Sequence, residues 1–323
     1  MGTPSHAKAH SLVVSGWIEA ALFVLAIGLL GFAYAVGHQI GAHPIAFVLY
    51  ALMVSAVALL TITGTGPNAT SIVLAPQSWL IGFGVIGMEV SYYLLLRYVP
   101  PADGSLLGRL MIPTAVAIGW IAFARRPSNM SLAGAGIICL GVAPILAAVG
   151  ADHRIAIMAA TAGCVLAFNL RTFAGEFHPW NRRARTLVEK LRITGLVVLV
   201  TSTTSIALAA FGGILASANI LPPTDLIPTS TQMLHLPTIL WGALVGSLIH
   251  TAMAFLSLSS VVKITSENFA AATAFTPAAT LIVQWFGGVL GLIPLFAISP
   301  LLLPSMTIVI VGVFLMLWGS RRR

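Results

Sequence analysis

The sequence predicts an all-α polytopic membrane protein with ten transmembrane helices, and three observations carry that prediction. Of the 323 residues, 58% are hydrophobic and only 7% are charged, whereas a soluble domain carries roughly 25% charged residues. The apolar residues form runs of about 20, the length at which a helix crosses a bilayer. Lys and Arg lie mainly in short tracts between these runs, as membrane topology requires, so the net charge of +8 does not indicate a nucleic-acid partner.

Gly, Pro and Asn punctuate the chain between the apolar runs and set the ends of the predicted spans. Residues 1–14 form a predicted cytoplasmic N-terminal tail without a cleavage site, so the first run is expected to remain as a span. The predicted spans cover residues 15–36, 44–63, 77–96, 104–123, 131–150, 155–175, 193–216, 237–259, 268–289 and 301–319.

The distribution of Lys and Arg predicts the orientation. With the N-terminus inside, the predicted outer segments hold only Arg97 and Arg154, whereas the inner segments hold twelve basic residues. We therefore expect the protein in the plasma (inner) membrane. Both termini, including the basic C-terminal tail 321–323, are expected on the cytoplasmic side. The polar stretch 171–192 is interpreted as an inner loop joining two halves.

The two halves resemble each other as an internal repeat. A shift of 164 residues lays 98–123 over 262–286, so that Asp103 meets Glu267 and Pro113 meets Pro277. Each copy has five spans, so the second must be inverted relative to the first, which is an architecture of transporters. The first predicted repeat is 15–150, and the second is 151–320, with the cytoplasmic linker 176–192 inside it.

The loop and span that begin "PPADGSLLGRLMIP", followed by the small-residue helix "GAGIICLGV", resemble the EamA-type transporters of the drug/metabolite transporter (DMT) superfamily. The resemblance covers nearly the whole chain and implies ten helices in two inverted halves that export small metabolites or drugs. The chain departs from the family pattern at His38, where members often carry lysine, near Tyr50, where arginine is frequent, and at Arg125, where an acidic residue is common. The family mechanism therefore does not transfer residue by residue.

Two charged residues fall within predicted spans. A charge at the centre of a membrane helix costs about 2.5–3.5 kcal/mol by insertion scales, which makes it a functional hypothesis. Glu89 lies in the outer half of the third span, and Arg109 lies in the fourth span near the same side. Because a short loop joins these spans as antiparallel neighbours, we expect the two side chains to meet. The pair would belong to a substrate pocket or be a structural ion pair.

A central cavity is expected between the halves. Tyr92 shares a helix face with Glu89, and Tyr34 can supply an amphipathic wall. For Asn169 in the sixth span, hydrogen bonding between helices is the favoured alternative to a cavity role. The predicted substrate-binding residues are Glu89, Tyr92, Arg109, Asn169, His250 and Tyr34.

Three residues are candidates for proton coupling. His250 titrates near neutral pH, although a lone histidine is also consistent with a satisfied core residue. Glu19, in "SGWIEAALF", resembles the first-helix glutamate of small relatives in the superfamily, which binds cationic drugs and protons, but it also fits a glutamate near the inner interface. Glu89 is the third candidate.

Pro113 and Pro277 are predicted to bend the fourth and ninth spans. A proline inside a helix leaves free the carbonyl four residues earlier, here those of Arg109 and Thr273. Free carbonyls at membrane depth need protein or a watery cavity, so we expect both kinks to line the cavity and to serve as gates. A plain packing kink is the alternative.

The expected function is secondary transport of a small organic metabolite or drug, with export by alternating access. The sequence contains no phosphate loop, zinc signature or catalytic triad, and we expect no enzymatic activity, cofactor or metal. The alternatives are a membrane enzyme acting on a lipid-linked substrate and a non-transporting membrane scaffold. The expected partners are the solute and the lipid bilayer, and both a monomer and a homodimer fit the sequence.

Overall fold

The computed structural model describes residues 6–222, 224–295 and 297–321, with side chains from residue 12 to residue 319 in these ranges. The described part is α-helical and contains ten helices long and apolar enough to cross a membrane. Residues 1–5 of the predicted N-terminal tail, together with Arg322 and Arg323 of the predicted C-terminal tail, lie outside the described residues. The chain is therefore a multi-pass membrane protein by the length and composition of its helices.

The ten spans agree closely with the hydropathy prediction, and the largest differences are at helix ends. The first helix begins at His6 and the last continues to Arg321. The spans are Leu12–Gln39, Pro44–Thr63, Pro76–Leu95, Pro101–Phe123, Asn129–Ala148, Ala151–Phe177, Leu187–Ser217, Leu236–Ile264, Ser266–Val289 and Leu302–Gly319. Short helices between them are Ala69–Leu74, Pro179–Arg183 and Ser230–Met233.

The interpretation of 171–192 as a loop was wrong for most of its length. The sixth span continues to Phe177, a short helix covers Pro179–Arg183, and the seventh span begins at Leu187 behind a capping box. The polar residues of this stretch do not all indicate a solvated loop, because Arg171 lies in the sixth span and is only 4% exposed. The side of the helix on which a residue lies, rather than its charge, decides whether its side chain is buried or exposed in this stretch.

Two spans change helix type within three residues of the aligned prolines. Three residues of 3-10 helix, Gly108–Leu110, interrupt the fourth span ahead of Pro113. Three more, Thr273–Phe275, interrupt the ninth span ahead of Pro277. The missing proline N–H explains both breaks, since the helix tightens where its regular hydrogen bond cannot form.

The eighth span contains a π-helical turn, Gly246–His250. Gly246 lies so close to the second span that a Cβ atom there would be 2.1 Å from the carbonyl oxygen of Ala51. Small residues allow such close packing of membrane helices. The turn places His250 inside the bundle at 2% exposure.

The spans pack in pairs that cross between the first five and the last five. The first span packs against the eighth and ninth, the second against the seventh and eighth, the third against the sixth and seventh, the fourth against the sixth and ninth, and the fifth against the tenth. Moving every span by five places maps this set of pairs onto itself. The interior between these pairs holds large buried aromatic side chains, among them Tyr34, Phe47 and Phe168.

Candidate functional site

Glu89 is the centre of a buried polar cluster. Its side chain is 1% exposed, and Tyr34, from the first span, donates a hydrogen bond from its hydroxyl to Glu89 Oε2 at 2.6 Å. His250 Nδ1, from the eighth span, lies 4.0 Å from Glu89 Oε1. Three residues predicted for the site therefore meet in the structure, through spans that are distant in sequence.

A small cavity of about 30 Å³ adjoins this cluster. Three of the predicted site residues, Glu89, Tyr92 and Arg109, line it. Phe168 from the sixth span and Met253 from the eighth span also line it, so both halves of the chain contribute. The cavity combines a carboxylate, a phenol and a guanidinium with mainly apolar walls, a combination typical of sites for small organic molecules.

The predicted contact between Glu89 and Arg109 was wrong. Arg109 is 2% exposed and donates from Nε to the carbonyl oxygen of Ser105 at 2.8 Å. Its Nη1 donates to the carbonyl oxygen of Thr273 and, at 3.2 Å, to Thr276 Oγ1. The two charges face one cavity without pairing, because Arg109 is bound across the bundle to the ninth span.

Asn169 does not line this cavity. Its Nδ2 donates to the carbonyl oxygens of Met111 and Val165, at 3.2 and 2.9 Å. The first bond joins the sixth span to the fourth, immediately after the break at Gly108–Leu110. Asn169 thus forms a hydrogen bond between two helices, which was the alternative to a role in the cavity.

Glu19 lies apart from the Glu89 cluster. Lys263 Nζ forms an ion pair with Glu19 Oε1 and also donates to Ser15 Oγ at 2.8 Å. Lys263 is the penultimate residue of the eighth span, so the pair is near the end of the bundle. This placement fits the interface alternative for Glu19.

Arg171 is the functional candidate that sequence reasoning missed. The guanidinium carbon lies over the rings of Phe23 and Phe168, 5.2 and 5.1 Å from their centroids. Phe168 also lines the cavity that Glu89 lines, so Arg171 lies beside that cavity. A signal was present in the sequence, since Arg171 falls within the predicted sixth span, 155–175.

A cluster around Arg125 closes one end of the bundle. Arg125 bonds to Glu267 Oε2 at 2.8 Å and to Glu176, joining the fourth, ninth and sixth spans. Glu176 Oε2 also accepts hydrogen bonds from the backbone N–H and hydroxyl of Ser266, at 3.0 and 2.7 Å. Burial alone would lower the pKa of Arg125, but its hydrogen bonds to both glutamates raise that pKa above its ordinary value. We name these four residues the Arg125 cluster.

The opposite end is closed by different contacts. Arg97 forms an exposed ion pair with Asp225 at 2.6 Å. Tyr50 donates to the carbonyl oxygen of Met233 at 2.7 Å, and His43 Nε2 lies 3.0 Å from the carbonyl oxygen of Thr224. Burial lowers the pKa of His43. Each contact connects the first five spans to the segment between the seventh and eighth.

Comparison with known proteins identifies a shared fold and no family. No family model matches the sequence, and no curated protein matches it. Among 27 matching chains of solved structures, one described only as a crystal structure of a protein has a TM-score of 0.59 and 16% identity, over 96% of this chain and 99% of that chain. At that identity the similarity shows a common fold over nearly the full length of both chains.

Proposed function

We propose that the protein is a secondary transporter of a small organic solute, an EamA-type exporter of the DMT superfamily that resides in the plasma membrane with both termini in the cytoplasm. The observation that carries the proposal is a cavity inside a ten-span bundle, lined by Glu89, Tyr92 and Arg109 from the first half and by Phe168 and Met253 from the second. Buried charges in a membrane protein are expensive and mark pathways for substrates or ions.

The pairing of the spans supports an inverted repeat. The contacts between spans keep their pattern when every span is moved by five places. The helix breaks at Gly108–Leu110 and Thr273–Phe275 occupy equivalent places in the fourth and ninth spans. In inverted-repeat transporters the substrate site lies near the midplane at the repeat interface, often beside broken helices.

Alternating access would work by opening one end of the bundle at a time. The Arg125 cluster holds three spans together at one end, and the Arg97–Asp225 pair contributes to closure at the other. With both ends closed, the structure would correspond to the occluded state of such a transporter. Bending at Pro113 and Pro277 would let each half move against the other while the cavity stays in place.

Glu89 is the proposed site of proton coupling. Its carboxylate accepts from Tyr34 and lies beside His250, so a proton arriving from either end of the cavity has a buried acceptor and a neighbour. A proton on Glu89 would remove the negative charge facing Arg109 and Arg171. Binding of the proton and binding of the substrate would thereby be coupled through the net charge of this cluster.

Transport in reconstituted vesicles tests the proposal. Purified protein in liposomes is loaded in turn with organic acids, amino acids, amines and drugs, and flux is followed with and without a pH gradient. We expect saturable flux of at least one class in wild-type vesicles and none in protein-free vesicles. Absence of flux for every class would contradict transport and would favour a scaffold or a membrane enzyme.

A further inference from the structure

Arg171 carries two hydrogen-bond donors that the protein leaves unused. The side chain is 4% exposed, and among the described residues no atom accepts a hydrogen bond from its Nε or its Nη2. Arg109, the other deeply buried arginine, is instead bonded to Ser105 and to the ninth span. Buried polar groups in native proteins are almost always hydrogen-bonded, so these two atoms indicate a missing acceptor.

The two unused atoms have the geometry of a carboxylate receptor. Nε and Nη2 form one edge of the planar guanidinium, and a pair of parallel N–H groups matches the two oxygens of a carboxylate. The guanidinium carbon lies over the rings of Phe23 and Phe168, contacts that leave the edge free. Phe23 and Phe168 therefore hold the guanidinium in place without consuming its hydrogen bonds.

Arg171 also borders internal space of the bundle. It lines a narrow crevice of about 10 Å³, whose polar side chains besides Arg171 are Thr172 and Ser257. Phe168, which contacts Arg171, lines the central cavity. Arg171 thus connects the crevice with the neighbourhood of Glu89.

The charges at the centre of the bundle do not balance. Among the described residues the buried charged side chains, apart from histidines, are Arg109, Arg171 and Glu89, so with His250 neutral the cluster carries one excess positive charge. An uncompensated buried charge is strongly unfavourable. One carboxylate bound at the free edge of Arg171 would make the cluster neutral.

We propose that Arg171 binds the carboxylate of the transported solute, so that the solute is a small organic monoanion with an apolar body. This inference rests on the proposed transport function, because it assigns the class of solute to that same interior site. A planar carboxylate fits the free edge, and the apolar walls of the crevice and the cavity would contact the rest of the molecule once the spans part to admit it.

Binding in detergent separates this inference from transport. Thermal unfolding of the purified protein is measured with benzoate, phenylacetate and hexanoate, with their neutral amides, with amines of the same carbon skeletons, and with inorganic phosphate. We expect at least one carboxylate to raise Tm and its amide and amine to have no effect. The Arg171→Met variant should bind that carboxylate at least about tenfold more weakly, since it removes one partner of a buried charge pair.

A matched control is Arg182→Met, which removes an exposed arginine eleven positions further along the chain and should leave carboxylate binding unchanged. Arg171→Lys keeps the charge but loses the paired donors, so it should restore only part of the affinity. Stronger stabilisation by amines, stabilisation by phosphate alone, or no effect of any carboxylate would overturn the inference. Carboxylate binding without flux in vesicles would instead contradict the transport function and leave the binding site standing.

Discussion

Arg109 donates a hydrogen bond from Nη1 to the carbonyl oxygen of Thr273, and Thr273 is the residue whose carbonyl Pro277 leaves without its regular helical partner. The side chain of one half thus completes the helix break of the other half. Thr276 N–H also bonds to this carbonyl in the 3-10 turn. The contact places the only positive charge of the fourth span at the break in the ninth.

This relationship predicts energetic coupling between Arg109 and Pro277. Arg109→Met should lower the free energy of unfolding in detergent, and Pro277→Ala, which restores the N–H, should reduce that loss. We expect a coupling energy of about 0.5–2 kcal/mol from a double-mutant cycle. Pro113→Ala is the control, because its N–H would serve the carbonyl of Arg109 itself; equal coupling for both prolines would contradict the assignment.

Glu89→Gln is predicted to abolish the response of transport to a pH gradient. Glutamine keeps the shape and can still accept a hydrogen bond from Tyr34, but it cannot take up a proton. Tyr34→Phe, which removes the 2.6 Å hydrogen bond and leaves the carboxyl group, should retain the response at a lower rate. The readout is initial flux in vesicles with and without the gradient, and an unchanged response in Glu89→Gln would exclude Glu89 as the coupling residue.

Arg125→Gln is predicted to open the end of the bundle that the Arg125 cluster closes. Cys164 is buried, lines the central cavity and is a natural reporter of access, once the exposed Cys139 is replaced by Ala. A water-soluble thiosulfonate should label Cys164 several-fold faster in Arg125→Gln, because the ion pairs to Glu176 and Glu267 are lost.

The control for this experiment is Arg182→Gln, since Arg182 is exposed and outside the cluster. Its labelling rate should equal that of the parent protein. If Arg125→Gln also leaves Cys164 unlabelled, the cluster does not limit access to the cavity.

His178 should make stability depend on pH. Its Nδ1 accepts from the backbone N–H of Asn181 at 3.1 Å, so the ring proton is on Nε2, 2.9 Å from Ser78 Oγ. Burial lowers the pKa of His178 from 6.5 to about 4. The unfolded chain therefore binds a proton first as the pH falls, and stability should drop by about 2 kcal/mol from pH 7 to pH 5.

The His178→Asn variant provides the comparison. Asparagine cannot titrate, so this part of the pH dependence should disappear even though the variant is less stable at pH 7. Chemical unfolding in detergent at several pH values measures both quantities. Parallel pH profiles for the two proteins would show that His178 is not the group responsible.

Gly246→Ala is predicted to destabilise the fold. The added Cβ would stand 2.1 Å from the carbonyl oxygen of Ala51, so the second and eighth spans must separate, and overpacking of this kind costs about 1–3 kcal/mol. Gly136→Ala is a matched control, because that exposed helical position has no atom within 4 Å of the new Cβ. Unfolding midpoints compare the two variants, and equal stability would contradict the close approach.

The ten spans were predictable because hydropathy sums the transfer free energy of neighbouring residues along one helix. The two helix breaks were also predictable from the sequence, because Pro113 and Pro277 each remove a hydrogen bond to the carbonyl four residues earlier in the same helix. Glu89, Tyr92 and Arg109 could be selected as cavity residues because charge and polarity within an apolar run are visible in the sequence itself.

The partners of these residues were not predictable, because they depend on the rotation and depth of each helix relative to its neighbours. Glu89 faces Tyr34 instead of Arg109, and Arg125 reaches two glutamates, Glu176 and Glu267, from distant parts of the chain. Composition and helical period determined which residues enter the membrane. Only the packing of ten helices decided that Arg109 completes a distant helix break while Arg171 keeps two donors free, since hydrogen bonds between spans require a three-dimensional register that no single span encodes.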